Sequence, residues 1–184
     1  MQKGNQIMRL KEKYLELQSK LMTDLGLKNR MATPKVKKIV ISVGLGEAKE
    51  NQGVLDKVKV YLQALAGQAP VVTHAKKSIS AFKVTKGQSI GMMVTLRGER
   101  MYAFLDKLIS VVFPKVRDFK GISDKSFDKE GNLNIGLREQ TIFPEVDYKT
   151  IDRTRGLALT ITTSAKDKEE GRKLLESLVM PFKC

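Results

Sequence analysis

The sequence predicts an α+β fold: a single domain with a mostly antiparallel, twisted sheet, helices packed on one face and the other face open. Four segments alternate apolar and polar residues with a period of two, which is typical of half-buried strands. Four other segments repeat apolar residues every three or four positions, as amphipathic helices do. The chain of 184 residues is long enough for one buried core, and it contains no apolar run that could span a bilayer.

The chain is strongly basic, with 34 Lys and Arg, 20 Asp and Glu and a net charge of +14. Such a surplus in a compact domain indicates a polyanionic partner, usually nucleic acid. A basic protein without a specific polyanion is the alternative. The cations are spread along the chain, which argues against a membrane surface. The only cysteine, Cys184, is the last residue. We therefore expect no internal disulfide and a cytoplasmic setting.

The first half of the chain is predicted to contain two helices and two strands. Periodicity predicts a helix over residues 7–25, capped by Gly26, and a second over residues 53–66. Strands are predicted over residues 36–46 and 70–73. The residues expected in the core are Leu10, Tyr14, Leu17, Leu21, Ile39, Ile41, Val43, Leu45, Leu55, Val58, Leu62 and Leu65.

The stretch 88–114 is predicted to be the centre of the fold. It begins as a strand and changes at Arg97-Gly98 to a helix that Pro114 is expected to stop. The strand is expected to bury Ile90, Met92, Val94 and Leu96, and the helix Tyr102, Leu105, Leu108, Ile109 and Val112.

Two strands and one helix are predicted near the C-terminus. The strands centre on Leu133, Ile135 and Leu137 and on Leu157, Leu159 and Ile161. The spacing Asp167-x-x-Glu170 predicts a capping box at the start of the helix. The expected buried stripe of this helix is Leu174, Leu175, Leu178 and Val179. Gly171 inside the helix is expected to cost about 1 kcal/mol relative to Ala.

The sequence offers no residues for catalysis. His74 is the only histidine, which leaves a metal centre or a His-based catalytic set almost nothing to use. The Gly44-Leu45-Gly46 turn has Lys49 where a dinucleotide-binding loop needs a third glycine. The acids Asp124, Asp128 and Glu130 lack EF-hand spacing and are interpreted as turn and solubility residues. We expect no enzyme activity, cofactor, metal or small-molecule substrate.

The outward-facing residues of the four longer predicted strands include no acid. Small hydroxyl, amide and glycine positions dominate, with cations at the margins. Small side chains let an RNA backbone approach closely, and hydroxyls and amides can bond phosphate and 2′-OH groups. A merely solvated sheet face is the alternative. These residues are Lys38, Val40, Ser42, Gly44, Gly91, Met93, Thr95, Arg97, Asn132, Asn134, Gly136, Arg138, Ala158, Thr160 and Thr162.

Several long motifs, in this order and spacing, resemble the family of bacterial large-subunit ribosomal protein five. They are KKIVISVGLGEA, GQAPVVTHAKKSISAFK, IGMMVTLRGERMYAFLDKL, FPKVRDFKGIS, GNLNIGLREQTIFPE and the terminal MPF. The resemblance covers residues 8–182, and residues 1–7 look like an N-terminal extension. It implies a structural constituent of the large ribosomal subunit, with a concave sheet face that binds 5S rRNA and helps attach it in the central protuberance.

The resemblance also implies partners and site residues. Ser42, Gln68 and Thr95 fall where the family makes buried hydrogen bonds to 5S rRNA, and position 42 is commonly Asn there. Further partners implied are 23S rRNA, peptidyl-site tRNA, neighbouring 5S rRNA-binding proteins and a small-subunit head protein at the intersubunit bridge. The long loops 74–88 and 113–131 are expected to be functional. An RNA-modifying enzyme and a free regulatory RNA binder are the competing functions.

Two sets of contact residues are expected from the open face and the resemblance together. The 5S rRNA-binding residues are Lys13, Ser42, Gln68, Met93, Thr95, Arg97, Asn132, Asn134 and Arg138. The tRNA-contacting residues of the loop 74–88 are His74, Lys76, Lys77, Ser78, Phe82 and Lys83.

Overall fold

The computed structural model describes residues 4–49, 53–117, 119–146 and 152–183, so Cys184 lies outside the described residues. These residues form an α+β structure with five strands and four main helices, as predicted. The sheet is antiparallel and its strand order is β2-β3-β1-β5-β4. In chain order the elements are α1 (Gly4–Asp24), β1 (Val36–Gly44), α2 (Gly53–Ala66), β2 (Val71–His74), β3 (Ser89–Leu96), α3 (Gly98–Lys107), β4 (Leu133–Leu137), β5 (Leu157–Thr163) and α4 (Lys168–Ser177).

The chain divides into two compact units by its contacts. The first unit is built from the N-terminal segment up to Ile39, from Leu96–Ile135 and from Thr160 onwards. The second unit is built from Val40–Thr95 and Gly136–Leu159. That residues 1–184 act as a single RNA-binding domain stays a prediction.

The strand faces follow the predicted alternation. Apolar residues at every second position of β1, β3, β4 and β5 are buried, as the period-two pattern requires. Ile90 and Ile135 are only half-buried. The buried strand residues are Ile39, Ile41, Val43, Met92, Val94, Leu96, Leu133, Leu137, Leu157, Leu159 and Ile161.

In the first unit, α1 packs against α3 and α4. Its core residues are Leu10, Tyr14 and Leu21, whereas Leu17 is half-exposed. The Tyr14 hydroxyl donates to the Pro34 carbonyl at 3.0 Å, and burial raises the pKa of Tyr14. Helix α1 begins at Gly4, so residues 4–7 of the predicted extension belong to it. Gly26 caps the helix as predicted, with a φ of +62°.

Helix α3 does not stop at Pro114. It passes into a wider π-helical turn, Leu108–Val112, and ends as α-helix at Phe113–Lys115. In the wider turn the Phe113 N–H donates to the Leu108 carbonyl. The extra residue in that turn rotates the buried stripe, so Phe113 is buried and Ile109 is only half-buried.

The predicted stripe of α4 is correct for its three leucines, but the prediction for Val179 is wrong. The helix ends at Ser177, and Val179 adopts a left-handed conformation with φ +66° and is 56% exposed. The chain therefore turns away before Val179 reaches the helical face, and Met180 is buried in its place.

The predicted capping box of α4 is also incorrect in detail. The Asp167 side chain makes no cap hydrogen bond. Glu170 instead accepts from the N–H of Lys166 at 2.9 Å, one residue before the predicted partner. The carboxylate still satisfies a backbone N–H at the helix start.

Gly171 of α4 is needed for packing. A Cβ at Gly171 would lie 2.5 Å from the Gly131 carbonyl oxygen. The backbones of α4 and of the turn before β4 therefore touch directly. The predicted weakening of the helix is offset by a contact that only glycine allows.

In the second unit, α2 buries Val58, Leu62 and Leu65 as predicted. Leu55 is half-exposed, and Val54 is buried instead. Tyr61 is also buried, its hydroxyl has no hydrogen-bond partner among the described residues, and burial raises its pKa to about 12.

The predicted loop 113–131 is attached to the C-terminal segment. Ile122 forms a parallel bridge with Phe182, and the rings of Phe127 and Phe182 stack with centroids 5.6 Å apart. Its first residues, Phe113–Lys115, are helical. A functional contact of this loop stays a prediction.

Candidate nucleic-acid interface

In the second unit, the outward side chains of β1 and β3 are small or uncharged. The Ser42 hydroxyl donates to the Ala158 carbonyl at 3.4 Å, a long and therefore weak bond. Met93 is 40% exposed, and Thr95 is half-buried. At Gly91, a Cβ would lie 2.5 Å from the Val43 carbonyl oxygen, so glycine is required for the approach of β3 to β1.

Gln68 and Thr95, two predicted contact residues, lie side by side. The Gln68 side-chain Nε2 donates to the Thr95 carbonyl at 3.4 Å. The Thr95 hydroxyl is therefore not used by Gln68. Arg138, another predicted contact, is exposed just after β4.

In the first unit, the outward polar residues come from β4, β5 and the strand ends. Asn134 is exposed, and its side-chain oxygen accepts from the Thr160 hydroxyl at 2.8 Å. Arg97 is exposed at the N-cap of α3. Lys13 is exposed on α1. These positions are open to a partner.

Asn132 differs from the other predicted contacts because both ends of its side-chain amide are bonded within the protein. Its Oδ1 accepts from the Thr163 N–H at 3.1 Å, and its Nδ2 donates to Asp128 at 2.8 Å. Burial raises the pKa of the Asp128 carboxyl, but hydrogen bonds from Asn132 and from the Glu130 N–H outweigh it and hold the pKa below its ordinary value. Asp128 is thus a turn residue, as predicted.

The predicted tRNA loop, residues 74–88, is a closed turn. Its base is joined by the Ala75 N–H to the Gln88 carbonyl and the Gly87 N–H to the Ala75 carbonyl, both at 2.9 Å. His74 is the last residue of β2, and its Nδ1 lies 3.1 Å from the Gly87 carbonyl oxygen. His74 therefore helps to close the loop.

The tip of this loop presents cations beside apolar side chains. Ile79 pairs with Val84 in a short antiparallel bridge, and Lys83 at the turn has a φ of +49°. Phe82 is 68% exposed. The Ser78 hydroxyl accepts from the Lys86 N–H at 2.9 Å, so Ser78 also supports the loop.

An open groove of about 610 Å³ lies along this loop. Apolar side chains line it, and two lysines stand at its edge. The lining residues are Gly46, Ala75, Lys76, Lys77, Ile79, Phe82, Val84 and Ile90. The combination suits a partner that is both anionic and able to bury an apolar surface.

A network around Glu47 was not predicted from the sequence. Its carboxylate binds the guanidinium groups of both Arg153 and Arg155. The fully buried Gln140 side chain donates to the Arg153 carbonyl and accepts from the Arg155 N–H. The two arginines follow Glu47 by 106 and 108 residues in sequence, so no local pattern could have shown the network.

The described residues contain neither a metal-binding cluster nor a membrane-spanning helix. No group of His, Cys, Asp and Glu there could hold a metal ion. No helix in the described ranges is long and apolar enough to cross a membrane.

Comparison with known proteins identifies the class of protein to which this chain is similar: the relatives are proteins of the large ribosomal subunit. A family model described as ribosomal protein L5 matches residues 29–84, and a second model, described as the C-terminus of the same ribosomal family, matches residues 89–182. The chain belongs to the ribosomal protein L5 family. This is a family of structural proteins, so the expectation that the chain is not an enzyme is confirmed.

The similarity to curated relatives spans almost the whole chain. The large ribosomal subunit protein uL5 of Anaeromyxobacter sp. (strain Fw109-5) is 52% identical over 176 residues, covering 95% of this chain and 98% of the relative. Those of Desulforamulus reducens and Thermoanaerobacter sp. (strain X514) are each 54% identical over 175 residues, covering 95% of this chain and 97% or 98% of the relative.

Proposed function

We propose that this protein is a structural constituent of the large ribosomal subunit that binds 5S rRNA through the outward residues of its strands. One observation carries the proposal: these residues are mostly small, polar or basic and include no acid, in a chain with 20 acids. The family membership supports a ribosomal RNA partner. It also supports a location at the ribosome, in the bacterial cytoplasm.

The net charge of +14 supports a binding mode with several phosphate contacts. Each such contact releases a counterion, so affinity should fall steeply as salt rises. The contacts proposed in the second unit are Ser42, Gln68, Met93, Thr95 and Arg138, and those in the first unit are Lys13, Arg97 and Asn134.

A competition experiment tests this function. Labelled 5S rRNA is bound to the protein at salt concentrations from about 50 to 300 mM, with tRNA or 5S rRNA as the unlabelled competitor. We expect strong salt dependence together with at least about tenfold weaker competition by tRNA. Equal competition by both RNAs would reduce the activity to nonspecific basic binding. Co-sedimentation with large subunits separates a ribosomal protein from a free regulatory RNA binder.

We propose that the loop 74–88 contacts peptidyl-site tRNA and not the primary 5S rRNA site. Exposed Lys76, Lys77 and Lys83 on a closed loop support this second contact. Phosphate contacts of this kind are modest and screened by salt. The proposed partners 23S rRNA, neighbouring 5S rRNA-binding proteins and a small-subunit head protein rest on the family resemblance.

Charge-matched variants test the loop. Lys76, Lys77 and Lys83 are changed together to Gln, and the control changes Lys129, Lys168 and Lys173, which are exposed in the first unit, in the same way. Both lose three charges. We expect only the loop variant to weaken retention of peptidyl-site tRNA by reconstituted ribosomes, with equal 5S rRNA affinity in both variants. A selective loss of 5S rRNA binding by the loop variant would place this loop in the primary site.

A further inference from the structure

Asn132 and Asn134 are both predicted RNA contacts, and the structure uses their side chains differently. Asn132 is half-buried and engages its oxygen with the Thr163 N–H and its NH₂ group with Asp128. Releasing either bond would leave a partly buried polar group without its partner. Asn132 is therefore held in a structural role.

Asn134 is exposed. Of its side-chain atoms, only the oxygen has a hydrogen-bond partner among the described residues. That bond comes from the Thr160 hydroxyl on the neighbouring strand β5, at an Oγ1–Oδ1 distance of 2.8 Å. A carboxamide has an acceptor end and a donor end. Because Thr160 holds the acceptor end, the donor NH₂ group points away from Thr160 and is available for a partner.

We propose that Thr160 is a positioning residue that fixes the Asn134 amide so that its Nδ2 donates to an oxygen of the RNA backbone. The inference rests on the proposed 5S rRNA binding and deepens it. Phosphate oxygens can only accept hydrogen bonds, so a carboxamide that presents its oxygen would be repelled and one that presents its NH₂ group is bound. An amide free to rotate would spend part of its time in the wrong orientation.

The neutral charge of Asn134 gives the proposal a distinctive readout. A lysine contact to phosphate releases a counterion and contributes to the salt slope, whereas a neutral amide donor does not. Loss of the Asn134 contact should therefore weaken binding equally at every salt concentration.

The experiment measures the Kd for 5S rRNA, its salt slope and the urea unfolding midpoint in five proteins. These are the wild type, Asn134→Ala, Thr160→Val, Thr160→Ser and the double variant Asn134→Ala/Thr160→Val. We expect about 5- to 20-fold weaker binding for Asn134→Ala and about 3- to 10-fold for Thr160→Val, in the range of one lost hydrogen bond. Thr160→Ser keeps the hydroxyl and should bind within about twofold of wild type.

The double variant tests the mechanism itself. If Thr160 acts through Asn134, the double variant binds no more weakly than Asn134→Ala alone, with an unchanged salt slope. A sixth protein, Asn132→Ala, serves as a contrast: it is expected to lower the unfolding midpoint, whereas Asn134→Ala is not.

Two results would overturn the proposal while leaving 5S rRNA binding intact. One is a wild-type Kd for 5S rRNA in both Thr160→Val and Asn134→Ala. The other is a double variant whose loss of binding free energy equals the sum of the losses in the two single variants. A wild-type protein that does not prefer 5S rRNA to tRNA would overturn the inference and the proposed function together.

Discussion

Replacing Gly171 with Ala should destabilise the protein, although alanine is the better helix former. In a helix interior the change alone is worth about 1 kcal/mol in favour of folding. A Cβ at this position, however, would lie 2.5 Å from the Gly131 oxygen and 2.9 Å from the Gly131 Cα. Both are backbone atoms, so no side chain can rotate to make room.

The neighbouring bonds prevent an easy adjustment. The Gly131 oxygen also accepts from the buried Thr163 hydroxyl at 2.9 Å. Gly131 itself has a φ of +72°, and a Cβ there would lie 2.6 Å from the Asp167 oxygen. Overpacking costs about 1–3 kcal/mol, and a weakened hydrogen bond adds about 0.5–1.5 kcal/mol. After the helical gain is subtracted, we expect Gly171→Ala to lower the free energy of unfolding by about 0.5–3.5 kcal/mol.

Urea unfolding followed by circular dichroism measures this difference. Gly136→Ala is the matched control, because a Cβ there meets no atom within 4 Å, and its effect should stay within about 0.5 kcal/mol. An increase of about 1 kcal/mol in Gly171→Ala would show that helix propensity outweighs the contact, and would refute the packing argument.

Three further substitutions are expected to change RNA binding or protein stability, each in a stated direction. Thr95→Val keeps the shape of the half-buried side chain but removes the hydroxyl, so 5S rRNA binding should become less favourable by about 1–3 kcal/mol while the urea midpoint stays unchanged. An unfolded variant whose remaining folded fraction binds with wild-type affinity would mean that Thr95 faces the core. Val179→Gly should raise the free energy of unfolding by about 0.5–1 kcal/mol, because a β-branched residue is strained at φ +66°. The same change at exposed Val60 within α2 should lower the free energy of unfolding by about 0.3–0.5 kcal/mol. A loss of stability at both positions would contradict the strain at Val179. Burial raises the pKa of Tyr61 to about 12, above its unfolded value of about 10, so the stability due to neutral Tyr61 is fully present below about pH 10 and is lost as pH rises towards about 12. Tyr61→Phe should show a smaller loss of Tm over that range, and identical alkaline profiles would exclude this role.

The sequence predicts most strand faces correctly because a strand has a strict period of two. Ile39, Ile41 and Val43 are buried as expected, and a shift of one residue would have reversed all of them. Helical stripes are less strictly defined, since one wider turn moves the stripe to a different residue. Phe113 replaces Ile109 for this reason.

Predictions at helix ends failed where local backbone conformation overrides the pattern. Val179 continues the apolar spacing of α4, yet the chain has already left the helix there. Asp167 and Glu170 have capping-box spacing, but only Glu170 makes a bond, and to a different N–H.

The sequence predicts which strand positions form the candidate site, but it does not predict which of their side chains are already hydrogen-bonded within the protein. Alternation identifies Asn132 and Asn134 as equivalent outward residues. Only the partners provided by Asp128, Thr163 and Thr160 distinguish a bonded amide from an available one, and the contacts to Thr163 and Thr160 join residues far apart in sequence.

The central claim is that the acid-free outward strand residues lie against RNA, and the charge at position 93 tests it most directly. Met93 is 40% exposed on β3, so either Glu or Lys there should change the free energy of unfolding by no more than about 1 kcal/mol. The measurement is the Kd for 5S rRNA at constant salt in Met93→Glu and Met93→Lys. A carboxylate beside phosphates is repelled and an ammonium is attracted. We expect about 10- to 100-fold weaker binding with Glu and wild-type or tighter binding with Lys. Equal affinities in the two variants would contradict the claim that RNA binds at this face.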